Sequence, residues 1–309
     1  MVLLSYIGQQ LTIFLGSFLL ITGVIGNIIN ILVFSSVRSY RTNPCTFYFL
    51  VGSVFDIIYM MMNLVSRMVI SGVGVDLTRT SVSWCKIRNW SLATISLMSF
   101  SCSCLATINQ FFMTSQSASI RRLSSIKWAP RILLIMIFVW CCHGIPFLLF
   151  YDISPLTGTC SSTNSAFAVY FPSIYILILD CIIPVSVMIV FGYLAYRNIR
   201  STRALAEQQA DRQFTRMILI ETVLVTISNV QYGINGAYTV ITAGMSKDAN
   251  RLQIENFVAT LSNLGCYLYF SGSCYAFLLS SSRFRKAAKK LLFFWQNTNQ
   301  IHPNGTLAT

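Results

Sequence analysis

Seven stretches of the chain, residues 11–36, 46–70, 86–113, 132–151, 167–196, 214–243 and 256–280, are apolar over about the length of a bilayer crossing. A hydrocarbon core of ~30 Å takes about 20 apolar residues in helical form. Lipid offers no partner to backbone N–H and C=O groups, so each stretch has to satisfy its own, and helices are expected. Hydrophobic residues make up 55% of the 309 and charged residues 10%. A water-soluble domain carries roughly 25% charged residues to cover its surface. The third and sixth stretches are the more polar and would fail a strict hydropathy cutoff. They are expected inside the bundle, shielded by their neighbours. The reading is one membrane domain over 11–280, a short N-terminus over 1–10, and a membrane-lying helix with a tail over 281–309.

The net charge of +13 would suggest nucleic acid if it clustered on a soluble surface. Here the charges fall in short loops between apolar runs, which argues for a lipid bilayer and against nucleic acid. One side holds only Arg67, Arg79, Lys86, Arg88, Lys247 and Arg251; every other Lys and Arg of the 22 falls on the opposite side. The positive-inside rule then puts the N-terminus outside and the C-terminus in the cytosol, as expected of a multi-pass plasma-membrane protein. Residues 1–10 carry no Lys or Arg and no small-residue cleavage site, so no removable signal peptide is expected. Along residues 280–295, Phe284, Ala287, Ala288, Leu291 and Leu292 recur at helical spacing with basic residues between them. That pattern suits an amphipathic helix on an anionic inner leaflet. Ten cysteines without a recurring CxxC pair, and only His143 and His302, give no zinc site. HExxH, GxSxG and any histidine cluster are missing, so an enzyme is not expected. No internal repeat of the kind transporters show is visible.

Several motifs sit at fixed places along these spans. Gly26-Asn27 lies within the first and Phe55-Asp56 within the second. Trp140 is in the fourth span, Pro184 in the fifth, and Ser282-Arg283-Phe284-Arg285-Lys286 follows the seventh. Together they resemble the rhodopsin-like G-protein-coupled receptors, over residues 11–295. The resemblance implies an all-α, seven-transmembrane helix bundle with a short amphipathic eighth helix. It also implies a disulfide between Cys85 and Cys160, tying the third helix to the second outer loop; the other cysteines are read as packing residues. A carboxylate at the centre of a membrane helix costs at least ~2.5–3.5 kcal/mol, so Asp56 has to face the bundle or water. In the family Asn27 and Ser99 accompany it. With Ser271 they would make a sodium and water network, the one cofactor the resemblance suggests.

The transducer-side motifs depart from the family. Cys85 and Gln110 lie 25 residues apart, about 38 Å at ~1.5 Å per residue. Gln110 therefore stands where the family has the Arg of its Asp-Arg-Tyr triad, and the triad reads Asn109-Gln110-Phe111. Tyr275 is kept from the Asn-Pro-x-x-Tyr motif, with Ser271 and Gly272 in place of the Asn and Pro. Asn229 replaces the family's switch Trp, and Gln231 a Pro. Glu221, in the inner half of the sixth span, is expected to pair with an inner basic residue or to bond Asn109 or Gln110. The uncharged triad puts coupling to a heterotrimeric G protein or arrestin in question.

A ligand cavity between the outer helix ends is the default for this architecture. Leu92 takes the place of the amine receptors' Asp, and no Lys occurs over 256–280 to hold retinal. The outer sixth helix is similar to invertebrate neuropeptide receptors of the FMRFamide type. The expected pocket comprises Arg67, Leu92, Ser96, Asp180, Asn235 and Tyr238. Arg67 would pair a peptide carboxylate or carbonyl, or else snorkel to the headgroups. Asn235 and Tyr238 share one helix face, and Tyr238 serves equally as an interfacial anchor. The expected function is a receptor for a neuropeptide or other small extracellular ligand. The alternatives are a decoy or partner subunit, then a transporter.

Overall fold

The computed structural model describes residues 2–36, 43–155, 157–201 and 209–297. Arg38, Arg41, Arg203 and the end of the expected tail, 298–309, lie outside them. The described chain is almost wholly helical: α1 (Val2–Ser36), α2 (Pro44–Val73), α3 (Val82–Thr114), α4 (Ala129–Phe150), α5 (Ser165–Ser201), α6 (Gln209–Ile241), α7 (Ala249–Ser280) and α8 (Ser282–Asn297). The helices α1 to α6 are long and apolar enough to cross a membrane. The chain is an all-α, multi-pass membrane protein.

Local chemistry sets the helix ends. Asn43 accepts the Cys45 N–H at 2.8 Å, and Pro44 opens the first turn of α2, where its missing N–H costs nothing. Gly74, at φ 82°, ends α2 in a left-handed conformation that a side chain would strain. Ser81 caps α3 and Asp248 caps α7. Wide π-type turns interrupt α2 at Met60–Leu64 and Met68–Val73, and α5 over Phe171–Ile182.

The helices close into a ring: α1 packs on α2 and α7, α7 on α6, and α6 on α5. The hub is α3, which touches α2, α4, α5 and α6 and is the most enclosed of the six apolar helices. Phe34, Phe49, Phe277 and Phe284 form an aromatic cluster at one end, with ring centroids 4.9–5.9 Å apart. Phe284 is fully buried there and anchors α8 to the bundle.

Three features differ from the sequence expectation, and the expected disulfide is formed. Residues 2–10 continue α1 as helix, and Gln9 is tied to α2 by donating its amide to the Gly72 carbonyl at 2.7 Å. The third and sixth stretches do meet the length and hydropathy of a crossing, and α7 is the helix that does not. Its start carries Asp248, Asn250, Arg251, Gln253, Glu255 and Asn256, which dilute its apolar run. Between α4 and α5 the loop forms an antiparallel hairpin, Tyr151–Ile153 with Cys160–Ser162. The disulfide is present: Cys160 in this hairpin is bonded to Cys85 at the start of α3, with Cα atoms 5.7 Å apart.

Candidate functional site

A seam of polar side chains runs along α3 from the disulfide end to the opposite end. Ser96, Ser99, Ser103, Thr107 and Gln110 are buried on it at helical spacing. The spacing of three and four residues puts them on one face of α3. Each needs a partner, because a buried polar group left alone costs free energy.

Nearest the disulfide, Ser96 shares a 2.7 Å hydrogen bond with Tyr175 of α5, and Tyr175 donates to the Leu92 carbonyl at 3.1 Å. Asp180 is buried, with Oδ1 lacking a hydrogen-bond partner among the described residues. The same holds for Nε of Arg67 and for both amide atoms of Asn63. These groups of α2, α3 and α5 lie in the half of the bundle toward the disulfide. Tyr238 is not with them. It donates to Glu255 at 2.7 Å, accepts from Arg251 at 3.0 Å, and lies under the Lys247 ammonium, in a surface cluster joining α6 to α7. Lys247 Nζ approaches the other Glu255 oxygen at 2.6 Å. That hydrogen bond, then those of Tyr238 and Arg251, pulls the Glu255 carboxyl down to about 2. Asn235 is half-buried one turn before Tyr238.

The middle of the seam holds two carboxylates. Ser99 donates to Asp56 Oδ1 of α2, and Ser103 donates to Glu221 Oε1 of α6 at 2.8 Å. The Tyr269 hydroxyl of α7 lies between the two serines, 3.1 Å from Ser99 and 2.8 Å from Ser103. Asp56, Glu221, Ser103 and Tyr269 line one hollow of about 10 Å³, with Ser53 and Ser273, room for about one water-sized occupant. The network expected around Asp56 is only partly assembled. Asn27 is turned to α7, donating to the Phe270 carbonyl at 2.8 Å and accepting from Ser273 at 3.3 Å. Ser271 donates within its own helix to Leu268. Neither lines the hollow, so the four-residue set proposed for a sodium ion is not brought together. Glu221 takes the place beside Asp56. It bonds Ser103 instead of Asn109 or Gln110, because its place on α6 faces α3 two turns before them. Ser103 and Tyr269 were not singled out by the sequence reading; Ser103, one turn after Ser99 on the α3 face opposite Asp56, was the signal that pointed there.

At the far end Gln110 is fully buried and donates to the Thr215 hydroxyl of α6 at 3.0 Å, clasping α3 to α6. The Cys45 thiol of α2 donates to its carbonyl oxygen at 3.5 Å. Asn109 bonds back to Leu105 and accepts from Ser124 at 3.3 Å. The Phe111 ring packs on Phe191 of α5, 5.5 Å between centroids. Tyr275 faces away from these groups. It is 41% exposed and donates to the Thr22 carbonyl of α1 at 3.1 Å. Asn229 proves structural: its amide donates at 2.9 Å to the Asp180 carbonyl, the acceptor that Pro184 leaves free four residues on.

The class these elements define is a polytopic helical membrane protein with a buried polar axis. Compared with known proteins, the chain matches no family model and no curated protein.

Proposed function

We propose that the chain is a rhodopsin-like seven-helix receptor of the plasma membrane. In this reading α7 is the seventh crossing, α8 lies on the inner leaflet, and the disulfide end faces the extracellular medium. A peptide or other small ligand enters between Arg67, Asp180 and the α3 face of Leu92 and Ser96. Ligand binding shifts the bundle only through differential affinity for its two states. The observation that carries the reading is the Gln110–Thr215 clasp. It joins α3 to α6 at the end opposite the ligand side, where a transducer's tail would enter once the two helices part. The clasp is neutral, and a neutral hydrogen bond is worth about 0.5–1.5 kcal/mol net, so the resting state is held less firmly than by an ion pair.

The same neutrality favours a second reading, a decoy or partner subunit that binds ligand without engaging a G protein or arrestin. One experiment separates the two. The chain is expressed at the cell surface and screened with amidated peptides against calcium, cAMP and arrestin readouts. A response in any of them supports the receptor. Binding of a labelled peptide with silence in all three supports the decoy. Asn109→Asp with Gln110→Arg then raises coupling if only the triad has been lost.

A further inference from the structure

The starts of α1 and α7 and the last turn of α2 meet at the disulfide end of the bundle, around a cavity of about 430 Å³. Neither the ligand site nor the clasp uses it. We propose that this cavity binds a neutral sugar, free or carried as the headgroup of a lipid. Ser5, Gln9 and Thr12 line it from α1, and Gln253, Asn256 and Thr260 from α7. Spacings of three and four residues put each trio on one helix face. The two faces confront each other closely: a Cβ at Gly8 of α1 would meet Phe257 at 3.6 Å and Thr260 at 4.0 Å. Polar stripes of this kind are costly against hydrocarbon and suit a polar occupant between the helices.

The lining selects the ligand class. No charged side chain takes part, so an ion, a phosphate or a zwitterion would enter without a counter-charge. The cavity offers neutral hydrogen-bonding capacity instead. Thr12 and Thr260 donate within their own helices, to the Gly8 and Asn256 carbonyls at 2.8 Å each, and Gln9 donates to the Gly72 carbonyl at 2.7 Å. The side chains of Ser5, Ser71, Gln253 and Asn256 make no hydrogen bond to another described residue. Each of the two amides offers two donors and one acceptor. A sugar carries donors and acceptors around its rim and C–H surface on its faces. Its hydroxyl pairs match the amides of Gln253 and Asn256, and a C–H face matches the Phe257 ring. A Cβ at Gly8 would already touch that ring, so the bare glycine leaves it uncovered. The volume lies within the range of small-molecule sites, about 300–1,000 Å³. This inference does not depend on the receptor reading; it needs only that α1, α2 and α7 pack as they do.

The test uses the full chain in phosphatidylcholine nanodiscs, prepared without sugar-headed detergent, and follows thermal unfolding. The free probes are maltose, lactose and cellobiose. The lipid-borne probes are glucosylceramide and galactosylceramide in the disc, with phosphatidylserine as the charged comparison. A ligand of the folded chain raises its melting temperature. The expected result is a saturable rise with at least one neutral sugar and none with phosphatidylserine. A rise with a disaccharide assigns the free sugar; a rise with a glycosylceramide alone assigns the lipid-borne one. Gln253→Leu and Asn256→Leu each weaken half-saturation by about tenfold, and Gly8→Leu, which covers the Phe257 ring, abolishes the rise. Each variant is compared with its own sugar-free melting temperature, so a less stable variant still reports. No rise with any of the five sugars overturns the proposal. So does a rise with phosphatidylserine as large as with the sugars, or a half-saturation unchanged in both Gln253→Leu and Asn256→Leu.

Discussion

Asn229 fills a position where its amide satisfies a carbonyl that Pro184 has deprived of its helical partner. Its replacement by Leu leaves that carbonyl buried and unpaired, at a cost of about 1–3 kcal/mol. Thermal unfolding in micelles measures it, and Pro184→Ala in the same background, which restores a backbone donor, recovers part of the loss. Gln110 carries a different prediction. Thr215→Val removes the clasp without changing size, and losing about 0.5–1.5 kcal/mol shifts the two-state equilibrium by up to about tenfold. Basal arrestin recruitment rises accordingly; a Thr215→Val variant no more active than wild type counts against the clasp. Asp56 was legible in the sequence because a lone carboxylate in an apolar run announces itself. Ser99, which donates to it, was legible with it; Ser103 and Tyr269 were not, because serine and tyrosine within a helix look like ordinary packing residues until the facing helix is placed. Glu221 was read toward Asn109 and Gln110 for want of that placement.

Helix positions could be read from the sequence, since apolar length and turn residues fix them locally. What escaped was how neighbours reshape a helix. The π-type turns of α2 and α5 have no pattern of their own, and the polar first turns of α7 are held by the Glu255 cluster with Lys247, Arg251 and Tyr238. Close packing of α3 on α4 rests on Gly144. A Cβ there would meet Thr94 Cγ2 at 2.3 Å and the Trp90 ring at 2.6 Å. Gly144→Ala therefore destabilises by about 1–3 kcal/mol through overpacking, seen as a lower melting temperature. The α6–α7 tie at Glu255 answers to pH. Its carboxyl lies near 2, below the ordinary 4.5, so its contribution is complete above the ordinary value and fades as pH falls toward 2. The melting-temperature difference between wild type and Glu255→Gln stays constant from neutral pH to about pH 5 and shrinks below that. A difference that grows on acidification contradicts the assignment.

The whole molecule is a ring of helices around α3, fastened by a disulfide at one end and by the Gln110 clasp at the other. Composition and the apolar runs made the membrane class evident, because a chain so poor in charge has no other way to cover its surface. Direction across the membrane rests on loop charge alone, and α7 is the crossing on which the receptor reading turns. Tag insertion decides it most directly. One epitope goes into the 243–248 loop before α7, and a second follows Asn297 after α8. The receptor account predicts that intact cells stain at the first tag and only permeabilised cells at the second. Staining of both tags from the same side would mean that α7 does not cross, and the receptor reading would fall.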